Sequence, residues 1–410
     1  MEGYNKKVIM SYWTICRMKT TKKIYVKVSI IFLLGGILLF SSCEKEENQK
    51  IEANRKTLFM YLPWSSNLTN YFYNNISDLE KCITKIGLNN EKVIVFISTG
   101  STEAMMFEIV SSHGRCKREI LKKYKSPPFT TIDGITAILN DVKAFAPASV
   151  YTMIIGCHGM GWLPVYEMKV RSAPHMKMHW EYQGVPLTRY FGGLTAEYQT
   201  DIKSLSLSNN GLSMEYILFD DCYMSSIEVA YELKDVTKYL IGSTSEMMAY
   251  GMPYAAIGEY LLGNPDYQSG CEEFYNFYST YEIMPCGTLA VTDCSELENM
   301  AAIIKSINSK YSFDKSLRGT IQRLDGYTPV IFYDFADYIT SLCNDPILLN
   351  QFREQLNHLV PYKTHTKNFY TMAKGIIPIN TFSGITTSDP SDNPMTVLKE
   401  NTLWYKAAHN

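Results

Sequence analysis

The chain has 410 residues, with 39 Lys and Arg against 41 Asp and Glu and a formal net charge of −2. That balance supplies no basic field for nucleic acid. The sequence also lacks a Gly-rich phosphate loop, a GxGxxG and a CxxC pair, so it calls for no nucleotide cofactor and no metal.

The chain opens with a targeting pattern. Lys19, Lys22, Lys23 and Lys27 precede the apolar run 28–40, which ends in Ser41-Ser42-Cys43. This is a basic n-region, a short h-region and small residues before a cysteine. The run is shorter than the roughly 20 apolar residues that span a bilayer. It resembles a bacterial lipoprotein signal, with Met18 as the more ordinary start. Residues 1–43 are therefore expected to be signal, with Cys43 as the lipidated N-terminus anchored to the outer membrane. Residues 44–54 form a charged tether. A lysine among acids beside Cys43 resembles a surface-export signal of such lipoproteins, which implies an outward-facing protein; the alternative is a solvated linker on a periplasm-facing one.

Beyond the tether, roughly 360 residues remain, enough for one large α/β domain with an appended subdomain. Apolar, β-rich runs predict strands over 57–62, 92–98, 150–156, 216–219 and 239–242. Helical periodicity predicts helices near 70–86, 132–145, 194–207, 225–233 and 272–281. Asp133-Gly134 and Asn209-Asn210-Gly211 mark turns. The alternation argues for a parallel sheet covered by helices on both faces. Residues 55–290 form the main domain and 291–410 a smaller C-terminal α/β extension, with a Ser/Thr/Asp/Pro-rich loop at 383–393. The interval 164–189 has no clean period and reads as an excursion from the sheet.

Two segments place a reactive side chain at a strand end. One is Ile155-Gly156-Cys157-His158-Gly159-Met160-Gly161-Trp162, and the other is Phe219-Asp220-Asp221-Cys222-Tyr223-Met224. A histidine and a thiol so presented are the parts of a cysteine nucleophile with its general base. An isolated strand histidine is usually structural, but Gly159 and Gly161 let the backbone turn past His158 and expose an N–H, at the place where open α/β sheets hold active sites. His113-Gly114 lacks that context. Cysteines are often buried core, and alternation assigns Cys157 to that role. Cys222 instead follows two carboxylates at a strand edge, a costly arrangement unless they are used. Asp220 shares the face of Cys222 and can sit under a basic substrate side chain; the alternative is that it caps the next helix.

These residues resemble the clostripain family of cysteine peptidases, in the caspase-like group with gingipains and legumains. His158-Gly159-Met160-Gly161-Trp162 is similar to its His-Gly-x-Gly-Trp, and Asp220-Asp221-Cys222-Tyr223-Met224 to its Asp-Ala-Cys-Leu-Met. Ser245-Glu246 with Gly251-Met252-Pro253-Tyr254 is similar to its Ser-x-Glu and Gly-x-Pro-Tyr. The resemblance implies a caspase-like, mostly parallel sheet and a cysteine endopeptidase cleaving proteins or peptides after Arg or Lys. His158 would be the base, Cys222 the nucleophile, Gly159 and the Cys222 N–H the oxyanion donors, and Asp220 and Glu246 the substrate-binding acids. It also implies a two-chain form after self-cleavage within 164–189, at Lys169, Arg171 or Lys177; the alternative is that this segment is a permanent surface insertion. Two departures stand out. The segment 61–68 keeps Asn67-Leu68 but lacks the acidic residue commonly found there, which weakens the inference of a calcium site and leaves calcium dependence open. Asp221 replaces a small residue, and a negative charge near a thiol lowers its reactivity. That second departure favours the alternative, an inactive caspase-fold lipoprotein acting as a binding module.

Overall fold

The computed structural model describes residues 54–65, 68–164, 200–209 and 211–409. Cys43, the tether to residue 53, Asn67, Asn210 and the excursion from residue 165 onward lie outside the described residues. In chain order the first elements are β1 (Asn54–Leu62), α1 (Thr69–Ile86), β2 (Glu91–Gly100), β3 (Glu103–Ser112), β4 (Arg115–Lys125), α2 (Ile132–Phe145) and β5 (Ala148–Ile155). Next come α3 (Ile202–Ser208), β6 (Met214–Phe219), α4 (Ile227–Leu233), β7 (Thr237–Gly242), α5 (Tyr254–Leu261) and α6 (Tyr267–Ser279). The last are β8 (Thr288–Asp293), α7 (Leu297–Asn308), β9 (Tyr333–Asp334), α8 (Phe335–Leu342), α9 (Pro346–Leu359), β10 (Tyr362–His365), β11 (Asn368–Thr371), β12 (Gly375–Pro378), β13 (Thr386–Thr387) and α10 (Leu403–His409).

One nine-stranded sheet runs β10-β8-β7-β6-β5-β1-β2-β3-β4. Its centre, β7-β6-β5-β1-β2, is parallel throughout. Antiparallel strands close both ends. Central strands buried on both faces need apolar residues at every position, which is why Val93–Ile97 and Ile217–Phe219 are continuous apolar runs. Helices between the strands pack around the sheet.

The five strands expected from the sequence are all present, most extended by one to three residues at an end. The β3–β4 hairpin was not read from the sequence. It turns on His113 (φ 51°) and Gly114 (φ 68°), both left-handed, as a two-residue hairpin turn that matches strand twist requires. Its outer strand β4 is a sheet edge, and Arg115, Lys117, Lys122, Lys123 and Lys125 discourage pairing with other chains there. The helix expected at 272–281 begins at Tyr267, because Asp266 accepts from the Ser269 N–H (3.1 Å) and starts it there. Helix α4 is capped by Ser226, which accepts from the Val229 N–H (3.3 Å), so Asp220 is not its cap.

Residues beyond 290 are knit into the same sheet through β8 and β10. Helix α10 returns to pack Trp404, 0 % exposed, against Tyr231 of α4 and Phe335 of α8, each with ring centroids 5.8 Å apart. The C-terminal third thus forms part of the support beneath the helix that follows Cys222.

Candidate active site

Strands β5 and β6 are parallel neighbours, and their last paired residues are Ile155 and Phe219. The Asp220 N–H then donates to the Ile155 carbonyl (2.8 Å), just past the end of the regular pairing. His158 and Cys222 each lie three residues past the last pair, on adjoining carboxyl ends of the sheet. This is the carboxyl end of the parallel strands, the end at which open α/β sheets place their sites. Both side chains are 0 % exposed.

Glycine is required in the histidine turn. A Cβ on Gly159 would lie 2.3 Å from the Cys222 carbonyl oxygen and 3.0 Å from its nitrogen, so only a bare Cα lets the turn press against the Cys222 backbone. Gly161 is left-handed (φ 59°), and a Cβ there would meet the Phe332 ring at 2.8 Å. Trp162 closes the turn, its indole N–H donating to Ser388 Oγ (2.8 Å).

The thiol segment runs beside residues 243–247. Met247 N–H donates to Cys222 Sγ (3.1 Å), Tyr223 N–H to the Ser245 carbonyl (3.0 Å) and Ser225 N–H to the Ser243 carbonyl (2.9 Å). Tyr223, next to the thiol, holds a left-handed backbone (φ 61°), a costly state for an aromatic residue. Surrounding contacts over-determine it: its ring stacks on Phe332 (centroids 4.8 Å) and its hydroxyl donates to Glu246 Oε1 (2.8 Å).

The acids expected around the site are all buried. Asp220, 1 % exposed, accepts from Met252 N–H (2.8 Å) and the Tyr254 hydroxyl (2.9 Å). Glu246, besides Tyr223, accepts from Met372 N–H (3.0 Å), tying the site to the β11–β12 hairpin. Asp221 turns to the neighbouring strand end, accepting from the Cys157 N–H (2.6 Å) and from the Cys157 thiol (3.5 Å). Cys157 is itself fully buried.

Three C-terminal contributors were not read from the sequence. Asp325 accepts from the N–H groups of Tyr327 (2.8 Å), Ile331 (2.7 Å) and Phe332 (2.6 Å), and so shapes the loop that sets Phe332 on Tyr223. Burial pushes its carboxyl up to about 6, against the pull of those donors. Ser388 is held by Glu228 of α4, whose Oε1 accepts from Ser388 N–H (2.7 Å) and Thr387 Oγ1 (2.9 Å). A chain therefore runs from the helix after Cys222 through Ser388 to Trp162 of the histidine turn.

Burial, with Asp389 adding, raises the Glu228 carboxyl from 4.5 to about 7. The folded state thus holds a proton that the unfolded state has released between those values. This group's contribution to stability is full below about pH 4.5 and is lost as pH rises through 7. Asp325 acts with the same sign up to about pH 6. Glu228→Gln keeps the acceptor and removes the buried charge. It is expected to stabilise the protein by up to about 3 kcal/mol at pH 8 and by little at pH 5. Denaturant unfolding at both values measures this, and an equal change at the two pH values would contradict it.

A search of curated proteins finds no match. The chain is similar to a secreted C11 cysteine protease from Bacteroides thetaiotaomicron, iotapain, at 57% identity over 87% of this chain and 99% of that one, with a TM-score of 0.80. It is also similar to a clostripain from Bacteroides thetaiotaomicron ATCC 29148, solved in complex with the peptide inhibitor BTN-VLTK-AOMK. There the identity is 64% over 54% of this chain and 99% of that one, with a TM-score of 0.53. An inactive zymogen C11 protease from Parabacteroides distasonis shares the fold at 23% identity over 87% of this chain and 98% of that one, with a TM-score of 0.72. The model of the clostripain family matches residues 60–377, which span every residue of the histidine turn and the thiol segment, and so this chain belongs to the clostripain family and is a cysteine-type endopeptidase.

Proposed function

We propose that His158 and Cys222 are the catalytic dyad of this endopeptidase and that it cleaves proteins and peptides after Arg or Lys. The observation carrying the dyad is that base and thiol stand at matched positions past the last β5–β6 pair, with Gly159 pressed against the Cys222 backbone. His158 takes the thiol proton, and the sulfur attacks the scissile carbonyl. The N–H groups of Gly159 and Cys222 receive the developing oxyanion, an arrangement that acts most strongly in a buried site. His158 then protonates the leaving amine, and water releases the acyl group.

Basic specificity rests on Asp220, one residue pair from the thiol on the same strand end, with Glu246 nearby in the Tyr223 network. Carboxylates held by fixed donors are pre-placed partners for a guanidinium or ammonium group. The lysine at the end of VLTK in the inhibitor bound by the Bacteroides clostripain is consistent with this reading. The test is a panel of fluorogenic peptides differing only in the residue before the scissile bond, offered to purified residues 44–410. Arg and Lys peptides are expected to exceed uncharged ones by about 30-fold or more in kcat/KM, the scale of a buried ion pair. A preference for apolar or acidic residues would overturn the specificity.

A further inference from the structure

We infer that Asp221 is a positioning residue that sets the histidine turn against the nucleophile through the backbone of Cys157. Asp221 stands where the family pattern has a small residue, and its charge next to a thiol reads from sequence as a handicap. In the structure its carboxylate is directed at the adjoining strand end instead. Past the Ile155–Phe219 pair, the Asp220 N–H donates to the Ile155 carbonyl. A side chain also bridges the two strand ends. Asp221 Oδ1 accepts from the Cys157 N–H at 2.6 Å, and Oδ2 accepts from the Cys157 thiol at 3.5 Å.

His158 lies between two residues fixed to the same peptide. Cys157 before it is held by the Asp221 carboxylate. Gly159 after it is packed so closely that a Cβ would fall 2.9 Å from Asp221 Cβ and 3.0 Å from the Cys222 nitrogen. The turn is therefore referenced on both sides to the Asp221–Cys222 unit, and the short charge-assisted bond is the polar half of that reference. Asp221 is 0 % exposed, so the Cys157 N–H has no bulk solvent beside it to take over the bond. Displacing a base by about 1 Å can cost a factor of about 100 in rate.

The inference rests on the dyad proposed above, and the experiment separates the two. Asp221→Ala removes the acceptor. Asp221→Asn keeps an oxygen for the Cys157 N–H and an amide toward its sulfur, but drops the charge. For a basic peptide, Asp221→Ala is expected to lower kcat at least about 10-fold with KM within about two-fold, and Asp221→Asn to restore kcat to within about three-fold of wild type. Should the alanine variant not fold, Asp221→Ser, too short to reach Cys157, carries the same expectation. An asparagine variant as impaired as alanine, or an alanine variant whose kcat per folded molecule matches wild type, overturns the role of Asp221. Hydrolysis persisting in a parallel Cys222→Ala variant overturns the dyad instead.

Discussion

Replacing Cys222 with alanine is expected to abolish peptide hydrolysis, lowering kcat by roughly 10⁴-fold or more, while the protein stays folded. The magnitude follows from the role. Removing a nucleophile forfeits the covalent path altogether, leaving only what binding and the oxyanion donors provide. The structural cost is small by comparison. The thiol accepts from the Met247 N–H at 3.1 Å and donates to the Met247 carbonyl at 3.7 Å, and leaving the buried N–H without that acceptor costs about 1–3 kcal/mol. Rate and melting temperature measured on the same preparation separate the two. His158→Ala is expected to match it in rate, because a pair acting as a unit fails when either member is lost.

The second large effect is expected at Asp220. Asp220→Asn should cut kcat/KM for Arg and Lys peptides by about 2–5 kcal/mol in transition-state binding and leave a peptide with an uncharged residue at that position nearly unaffected. Asparagine retains an oxygen able to accept from Met252 N–H or the Tyr254 hydroxyl, which bond Asp220 at 2.8 and 2.9 Å, so the local backbone has a partner. Steady-state kinetics on paired substrates decides it. If basic peptides are cleaved as before by a folded variant, the carboxylate is purely structural.

His158 and Cys222 were legible in sequence because each sits just past an unbroken apolar run, and Gly159 and Gly161 announced a sharp turn after His158. The meaning of Asp221 was not legible. Strand alternation turned it away from the Cys222 face, but only the pairing of β5 with β6 brings Cys157 to it. Support from the C-terminal third was hidden for a related reason. Trp162 and Ser388 are 226 residues apart in sequence, and no local pattern links them. One clue was available: Glu228 stands inside the apolar stretch Ile227–Ala230, where an acid needs a buried partner. The β3–β4 hairpin went unread because its turn pair, His113-Gly114, lacks the usual Asn-Gly or Asp-Gly signal, although His tolerates the left-handed backbone better than most residues.

The central claim is that Cys222, among eight free thiols in the described residues, is the one that attacks substrate. The most direct measurement is covalent labelling by a peptide-directed thiol alkylator ending in lysine, followed by peptide mapping with mass spectrometry. Wild-type protein is expected to gain a single adduct, on Cys222, in step with loss of activity, and His158→Ala is expected to label far more slowly. An adduct on Cys157 or any other cysteine that tracks inactivation, or full inactivation of the wild type with Cys222 unmodified, would contradict it.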